Sequence, residues 1–95
     1  MDKRPYSVEA FECLIAKVRR ETPIRRMVVE PLILHIKYSI EWLNYDIYPI
    51  TVSEFLSDQR RLTELLKELI RMYKERDPEG YKMFVSNRSE LIKYE

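Results

Sequence analysis

The chain has little glycine, cysteine or histidine, and each shortage excludes a kind of site. Its 95 residues contain one glycine, Gly80, one cysteine, Cys13, and one histidine, His35. Phosphate-binding and dinucleotide-binding loops need several glycines, so neither can form here. A lone cysteine excludes an internal disulfide, and with a lone histidine it excludes a zinc site of Cys and His ligands within one chain. Histidine-based catalytic triads would all depend on His35.

These shortages predict a protein that is not an enzyme. We expect no catalytic residue, cofactor or metal, and no small-molecule substrate. His35 precedes a predicted core position by one residue, so we expect it to be structural. Cys13 lies beside Leu14 in an apolar helix, and we expect a buried structural thiol there. A reducing, cytoplasmic setting fits a chain with so little cysteine.

Charge of one sign and long apolar runs are also lacking. Lys and Arg number 17 against 16 Asp and Glu, so net charge does not draw the chain toward nucleic acid or an anionic membrane. The most apolar stretch, residues 27–43, is interrupted by charged residues, and the first residues have no apolar signal core, so we expect no membrane span or secretion. The high charge content, 35% of residues, resembles thermophile composition.

What remains predicts a chain that is nearly all helix. Ser7 is a plausible N-cap for a first helix from Val8 to about Glu21, whose apolar residues lie on one face. Thr22, followed by Pro23, is expected to open a second helix that runs to about Asn44. Because proline lacks a backbone donor, Pro31 should either kink this helix or divide it.

The second half of the chain also has clear helix starts. Residues 44–50 predict a turn with an X-Pro step at Tyr48–Pro49, and Thr51 with Glu54 forms a capping box for a third helix. That helix either continues to about Glu75 or breaks near residues 57–58. Residues 77 and 78 open a short helix to about Val85, and a final turn or two follows. The predicted fold is one all-α domain, residues 1–95: a small bundle of two long antiparallel helices, a shorter N-terminal helix and short C-terminal segments.

The second helix carries apolar residues on two sides. A seam with spacing four, three, four and three, typical of helix packing, consists of Val29, Ile33, Ile36, Ile40 and Leu43. Leu34, Tyr38 and Trp42 form a second apolar line, at spacing four. A helix that is apolar on two sides is either the centre of a monomeric bundle or is covered on one side by another copy. We expect a self-associating or protein-binding module with Leu34, Tyr38 and Trp42 at its interface.

The third helix separates apolar from charged residues. Its predicted core face consists of Phe55, Gln59, Leu62, Leu66, Leu69 and Tyr73. The opposite face carries Arg60, Lys67, Arg71 and Lys74, with Glu64 and Glu68 placed to pair with Lys67 and Arg71. A solvated face is the simpler interpretation, and a phosphate-contacting face is the alternative. Residues 52–73 could also form a helix-turn-helix motif with its turn at residues 57–58.

A basic cluster gives an alternative function. Five cations surround the predicted turn between the first two helices: Lys17, Arg19, Arg20, Arg25 and Arg26. Cations complement the carbonyl groups at a helix C-terminus, which explains the cluster structurally. The same side chains could instead contact phosphates, so a nucleic-acid-binding protein is the alternative to a protein-interaction module.

Overall fold

The computed structural model describes residues 4–21, 23–45 and 50–95, and within them the chain forms four α-helices and a short 3₁₀ helix. They are α1 (Val8–Arg20), α2 (Arg26–Tyr45), α3 (Val52–Arg76), α4 (Pro78–Ser86) and a 3₁₀ helix (Ser89–Tyr94). The predicted all-α bundle is confirmed. The predicted turn at Tyr48–Pro49 lies outside the described residues, as does Thr22.

Local sequence signals set most of the helix ends. The Ser7 hydroxyl accepts the Ala10 N–H at the start of α1. At the start of α3, the Thr51 hydroxyl accepts the Glu54 N–H, and the Glu54 carboxylate accepts the Thr51 N–H, which is the predicted capping box. The Asp77 carboxylate caps α4, whose first residue is proline.

Gly80 lies in a crowded position at this last cap. The Asp77 carboxylate accepts the Gly80 N–H at 3.1 Å and also pairs with Arg26. A Cβ atom at residue 80 would lie 2.6 Å from Arg26 Nε and closer still to the Asp77 carboxylate. The lone glycine therefore serves close packing between the start of α4 and the start of α2.

The second helix starts later than predicted, at Arg26 instead of Thr22. The Arg25 carbonyl accepts the first backbone bonds, from Val28 and Val29, because Ile24 turns into the core before the helix begins. Pro31 does not divide α2, which continues through it to Tyr45. Likewise α3 is continuous across residues 57–58, so the helix-turn-helix prediction was wrong.

Side-chain hydrogen bonds show how α2 lies along α3. Gln59 donates to Asn44, Tyr73 donates to Glu30, and Arg26 donates to Asp77. As the residue number rises along α3, the number of its partner on α2 falls by the same amount. The two long helices are therefore antiparallel. Arg61 with Glu12 and Arg19 with Glu68 pair α1 with α3 at equal offset in the same direction. The chain thus folds up, down and up again.

The core lies where α1, α2 and α3 meet, and α4 and the 3₁₀ helix close its lower end. All five residues of the predicted α2 seam are buried, as are Leu62, Leu66, Leu69 and Tyr73 of α3, whereas Phe55 and Gln59 at the start of that predicted face are half-buried. Cys13 is exposed, contrary to the buried thiol predicted from its neighbours. It is exposed because α1 uses Val8, Phe11, Ile15 and Val18 for its core face.

Candidate interaction surface

The outer face of α2 carries an apolar strip that faces away from α3. We define the α2 strip as Met27, Pro31, Leu34, Tyr38 and Trp42. Their spacing of four, three, four and four residues places them along one line of the helix, roughly 22 Å long at 1.5 Å per residue. Met27 is 90% exposed and Tyr38 is 54% exposed. Leu34 and Trp42 are half-buried against the core, so the predicted interface residues are neither sandwiched nor fully in solvent.

The α2 strip borders an apolar groove. The groove has a volume of about 410 Å³ and lies between α2 and the segment formed by residues 5–7 and α1. Tyr38 and Trp42 form one wall together with His35, and Ala10 and Leu14 belong to the other. Leu14 is 40% exposed. The groove exists because α1 packs more closely on α3 than on α2, which leaves the outer edges of α1 and α2 apart.

The charged residues of α2 lie off this strip and pair with other groups of the fold. Arg26 pairs with Asp77 of the α4 cap, and Glu30 accepts the hydroxyl of buried Tyr73. Lys37 is 8% exposed and donates to Glu90 at 2.9 Å, while its ammonium group also lies 3.3 Å from Glu41. The charged residues of α2 are therefore paired within the fold, and although the side chains of Arg26 and Glu41 remain 51% and 44% exposed, the line from Met27 to Trp42 carries no charge.

These internal pairs shift the ionisation of their members. Burial and the hydrogen bond to Glu30 raise the pKa of Tyr73 above its ordinary value. Burial lowers the pKa of Lys37, but its hydrogen bonds to Glu90 and Glu41 outweigh that effect and raise the pKa overall. The guanidinium of Arg26, with help from the Gly80 N–H, lowers the pKa of Asp77. These shifts favour a neutral Tyr73, a charged Lys37 and an ionised Asp77.

One end of the groove is held in place by the N-terminal segment. Asp58 is 4% exposed and accepts hydrogen bonds from Arg4 at 2.6 Å and from the Tyr6 hydroxyl at 2.8 Å. The Tyr6 ring meets Trp42 edge-on, with 5.8 Å between ring centroids. Burial and the hydrogen bond to Asp58 raise the pKa of Tyr6. Sequence reasoning missed this cluster because its members lie about fifty residues apart.

The structure uses much of the predicted basic cluster for internal pairs. Arg19 pairs with Glu68, Arg26 pairs with Asp77, and Arg25 lies 4.0 Å from Glu21. Lys17 and Arg20 are exposed, and neither has an ion-pair partner among the residues that the structure describes. Because the contact of Arg25 is too long for a hydrogen bond and leaves its side chain 73% exposed, the patch offers three largely free cations, Lys17, Arg20 and Arg25, instead of five.

Another arginine, which sequence reasoning missed, caps α1. Arg76, at the end of α3, donates to the carbonyl oxygens of Val18, Arg19 and Glu21 at 2.9 to 3.0 Å. A helix C-terminus has unpaired carbonyl groups and a partial negative charge, so a guanidinium satisfies both needs. The cations in the last turn of α1 were predicted to complement its C-terminus, but in the fold Arg76 of α3 does so.

The outer face of α3 remains charged in the structure. Arg60, Glu64, Lys67 and Arg71 are exposed. The predicted pairing of Glu68 with Arg71 was wrong, because Glu68 turns toward Arg19 of α1. Lys74 pairs with Glu95 at 3.3 Å. This face is the solvated counterpart of the α2 strip.

The fold and the strip define the class of this protein as a small all-α bundle with an uncharged outer helix face. Comparison of the chain with protein-family models, with curated proteins and with solved structures found no match. Within the described residues, no helix combines the length and apolar character needed to cross a membrane. Nor do three or more His, Cys, Asp or Glu side chains there come together as a metal site.

Proposed function

We propose that this protein is a non-enzymatic self-association module, and that the α2 strip is its interface with a second copy of the chain. The observation that carries the proposal is the distribution of charge on α2. A surface helix normally places charged residues toward solvent, whereas on α2 Lys37 is buried, Glu30 is half-buried, and the outward line from Met27 to Trp42 consists of uncharged residues. In a chain that is 35% charged, such a face is favourable when another apolar surface covers it.

The exposed area supports a weak, reversible dimer. Taking roughly 150–250 Å² for a large side chain, Met27 and Tyr38 of the strip, together with the exposed residues Leu14 and Val28 outside it, expose roughly 400 Å². Specific interfaces of standard size bury about 800 Å² per partner, and smaller ones belong to transient complexes. We therefore expect dissociation in the micromolar range, so that the dimer forms only at raised protein concentration.

The lack of charge on the strip favours a second copy over a charged partner. Peptides and proteins that bind by electrostatic complementarity need charges of opposite sign on the receptor, and the α2 strip provides none. A second copy brings the same uncharged strip, so no charge is buried without a partner. We place this assembly in the cytoplasm, since a protein whose lone thiol, Cys13, is exposed fits a reducing compartment.

The test compares two methionine substitutions by sedimentation velocity over a concentration series. Met27→Glu places a charge on the strip, and we expect it to weaken dimerisation at least tenfold. Met83→Glu is the matched control, because Met83 is also largely exposed, at 68%, but lies on α4 away from the strip. We expect this control to dimerise like the wild type.

A second pair covers the middle of the strip. Tyr38→Glu should weaken dimerisation, and Ile92→Glu, at a site with the same exposure of 54%, should not. Circular dichroism checks that each variant is folded. A wild-type chain that stays monomeric at high micromolar concentration would contradict the proposal, and so would equal effects at Met27 and Met83.

A further inference from the structure

Four of the five residues of the α2 strip, all except Leu34, are placed symmetrically about the point between Leu34 and His35. Met27 and Trp42 lie equally far from this point, on opposite sides of it. The same is true of Pro31 and Tyr38. When two identical helices pack antiparallel about a two-fold axis through that point, residue 27 faces residue 42 of the second copy and residue 31 faces residue 38. A parallel pair would instead place each residue against its own equivalent.

The two ends of the strip have opposite shapes, as an antiparallel pair requires. At one end Met27 projects into solvent with 90% of its surface exposed. At the other end, Trp42 is half-buried beside Tyr6 and Ala10 and lines the groove of about 410 Å³. Methionine sulfur makes favourable contacts with aromatic rings, and its flexible side chain fits irregular hollows. The projecting end of one copy thus suits the aromatic hollow of another.

In a parallel pair these features would not match. Two projecting Met27 side chains would meet at one end, and two hollows would meet at the other. The middle of the strip does not distinguish the two orientations. His35 lies close to its own equivalent in the antiparallel pair and in the parallel pair. The ends therefore decide the direction.

We infer that two copies of the chain pair antiparallel through α2, with Met27 of each copy seated against Trp42 in the groove of the other. This inference rests on the proposed self-association and adds its direction and its anchoring contact. Pro31 then faces Tyr38 of the second copy, and His35 lies near its own equivalent at the two-fold axis. The dimer is closed, so it does not extend into a filament.

Disulfide trapping tests the direction. In a Cys13→Ser background, cysteine is placed either at residue 35 (His35→Cys) or at residue 27 (Met27→Cys), and each variant is oxidised near the dissociation constant. A disulfide needs Cα atoms within about 7 Å of each other. In the antiparallel pair the two residues 35 are neighbours, whereas the two residues 27 lie roughly 22 Å apart along the helix.

We therefore expect a covalent dimer from His35→Cys and none from Met27→Cys. Efficient cross-linking of both variants would overturn the inference in favour of a parallel pair, while leaving self-association intact. Cross-linking of neither variant, although the uncross-linked proteins sediment as dimers, would place the contact away from α2 and overturn both the inference and the proposed interface. A monomer at every concentration would refute self-association itself.

Charge pairing gives an independent test. Pro31→Glu and Tyr38→Lys should each weaken the dimer at least tenfold, and the double variant should recover most of that loss, because residue 31 faces residue 38 of the other copy. The matched control is the double variant Pro31→Glu with Met27→Lys, which has the same charges but no cross-chain pairing. Recovery in this control as well, or in neither double variant, would contradict the antiparallel register.

Discussion

The two long helices face each other with matching apolar sides, but their outer faces differ. On α3 the outer face carries Arg60, Glu64, Lys67 and Arg71, all exposed to water. On α2 the charged residues are used in pairs with Asp77, Tyr73 and Glu90, so the α2 strip keeps only uncharged side chains. The comparison shows that the tertiary partners of a helix, and not its charge content alone, decide which of its faces is left apolar.

The largest expected effect concerns the buried apolar faces of α2 and α3, which are alike. Ile36 of α2 and Leu66 of α3 are both fully buried, at 0% exposure. Ile36→Ala and Leu66→Ala should each lower the free energy of unfolding by about 2–5 kcal/mol, because each leaves a cavity in a packed core. Denaturant unfolding measures both. A much smaller loss of unfolding free energy for Ile36→Ala than for Leu66→Ala would show that the two buried faces do not contribute equally to stability.

Pro31 belongs to the outer face of α2 and has no counterpart on α3. Because α2 is continuous through it, an alanine there would gain the backbone hydrogen bond to residue 27 that proline cannot make. Pro31→Ala should therefore raise the free energy of unfolding by about 2–3 kcal/mol. Thermal and denaturant unfolding below the dimerisation range provide the measurement. No gain would indicate that the helix is adapted to the proline.

Two arginines of α3 have different roles: Arg76 caps the end of α1, and Arg71 is exposed on the outer face. Arg76→Ala removes three hydrogen bonds to the carbonyl groups at the end of α1, so we expect a loss of about 1–2 kcal/mol. Arg71 is exposed and has no ion-pair partner in the described ranges, so Arg71→Ala serves as the control. Equal unfolding free energies for the two variants would show that the α1 cap contributes nothing.

The Arg26–Asp77 pair joins the start of α2 to the end of α3 and gives a pH dependence. Because the folded pKa of Asp77 is lowered, its contribution to stability is present above the unfolded pKa and is lost as the pH falls below about 4. Asp77→Asn keeps the cap on α4 but cannot ionise. We expect this variant to lose less stability on acidification than the wild type. An identical acid profile would assign the effect to other carboxylates.

The smallest effect should come from the outer face of α3. The double variant Lys67→Glu and Arg71→Glu should change the free energy of unfolding by less than about 0.5 kcal/mol and leave dimerisation unchanged, since solvated charges contribute little. Binding to duplex or single-stranded DNA that weakens steeply with salt, and that this variant abolishes, would instead support the nucleic-acid alternative for this face.

Local signals allowed much of the fold to be predicted. Ser7, the Thr51–Glu54 box and Asp77–Pro78 act on neighbours three residues away, so their capping roles follow from spacing alone. The start of α2 was predicted wrongly because Ile24 is drawn into the core, which is a tertiary effect. The burial of Cys13 was predicted wrongly because two apolar neighbours say little about which face of α1 is inside.

For the candidate surface, sequence supplied the apolar line of Leu34, Tyr38 and Trp42, and structure supplied its surroundings. The groove beside Trp42 depends on Tyr6, which is held by Asp58, and these residues come together only when the chain folds. In the basic cluster, by contrast, folding draws neighbouring residues to different partners. Its residues are adjacent in sequence, but Arg19 and Arg26 turn to carboxylates from distant helices.

By itself the sequence determined the class of fold, the caps of three helices and the two apolar sides of α2, because periodicity and capping act over a few residues. Tertiary structure decided which charges are used internally, how α1 is capped by Arg76 and which side chains crowd residue 80. Most of those outcomes depend on contacts between groups more than forty residues apart, and such contacts leave no local pattern in the chain.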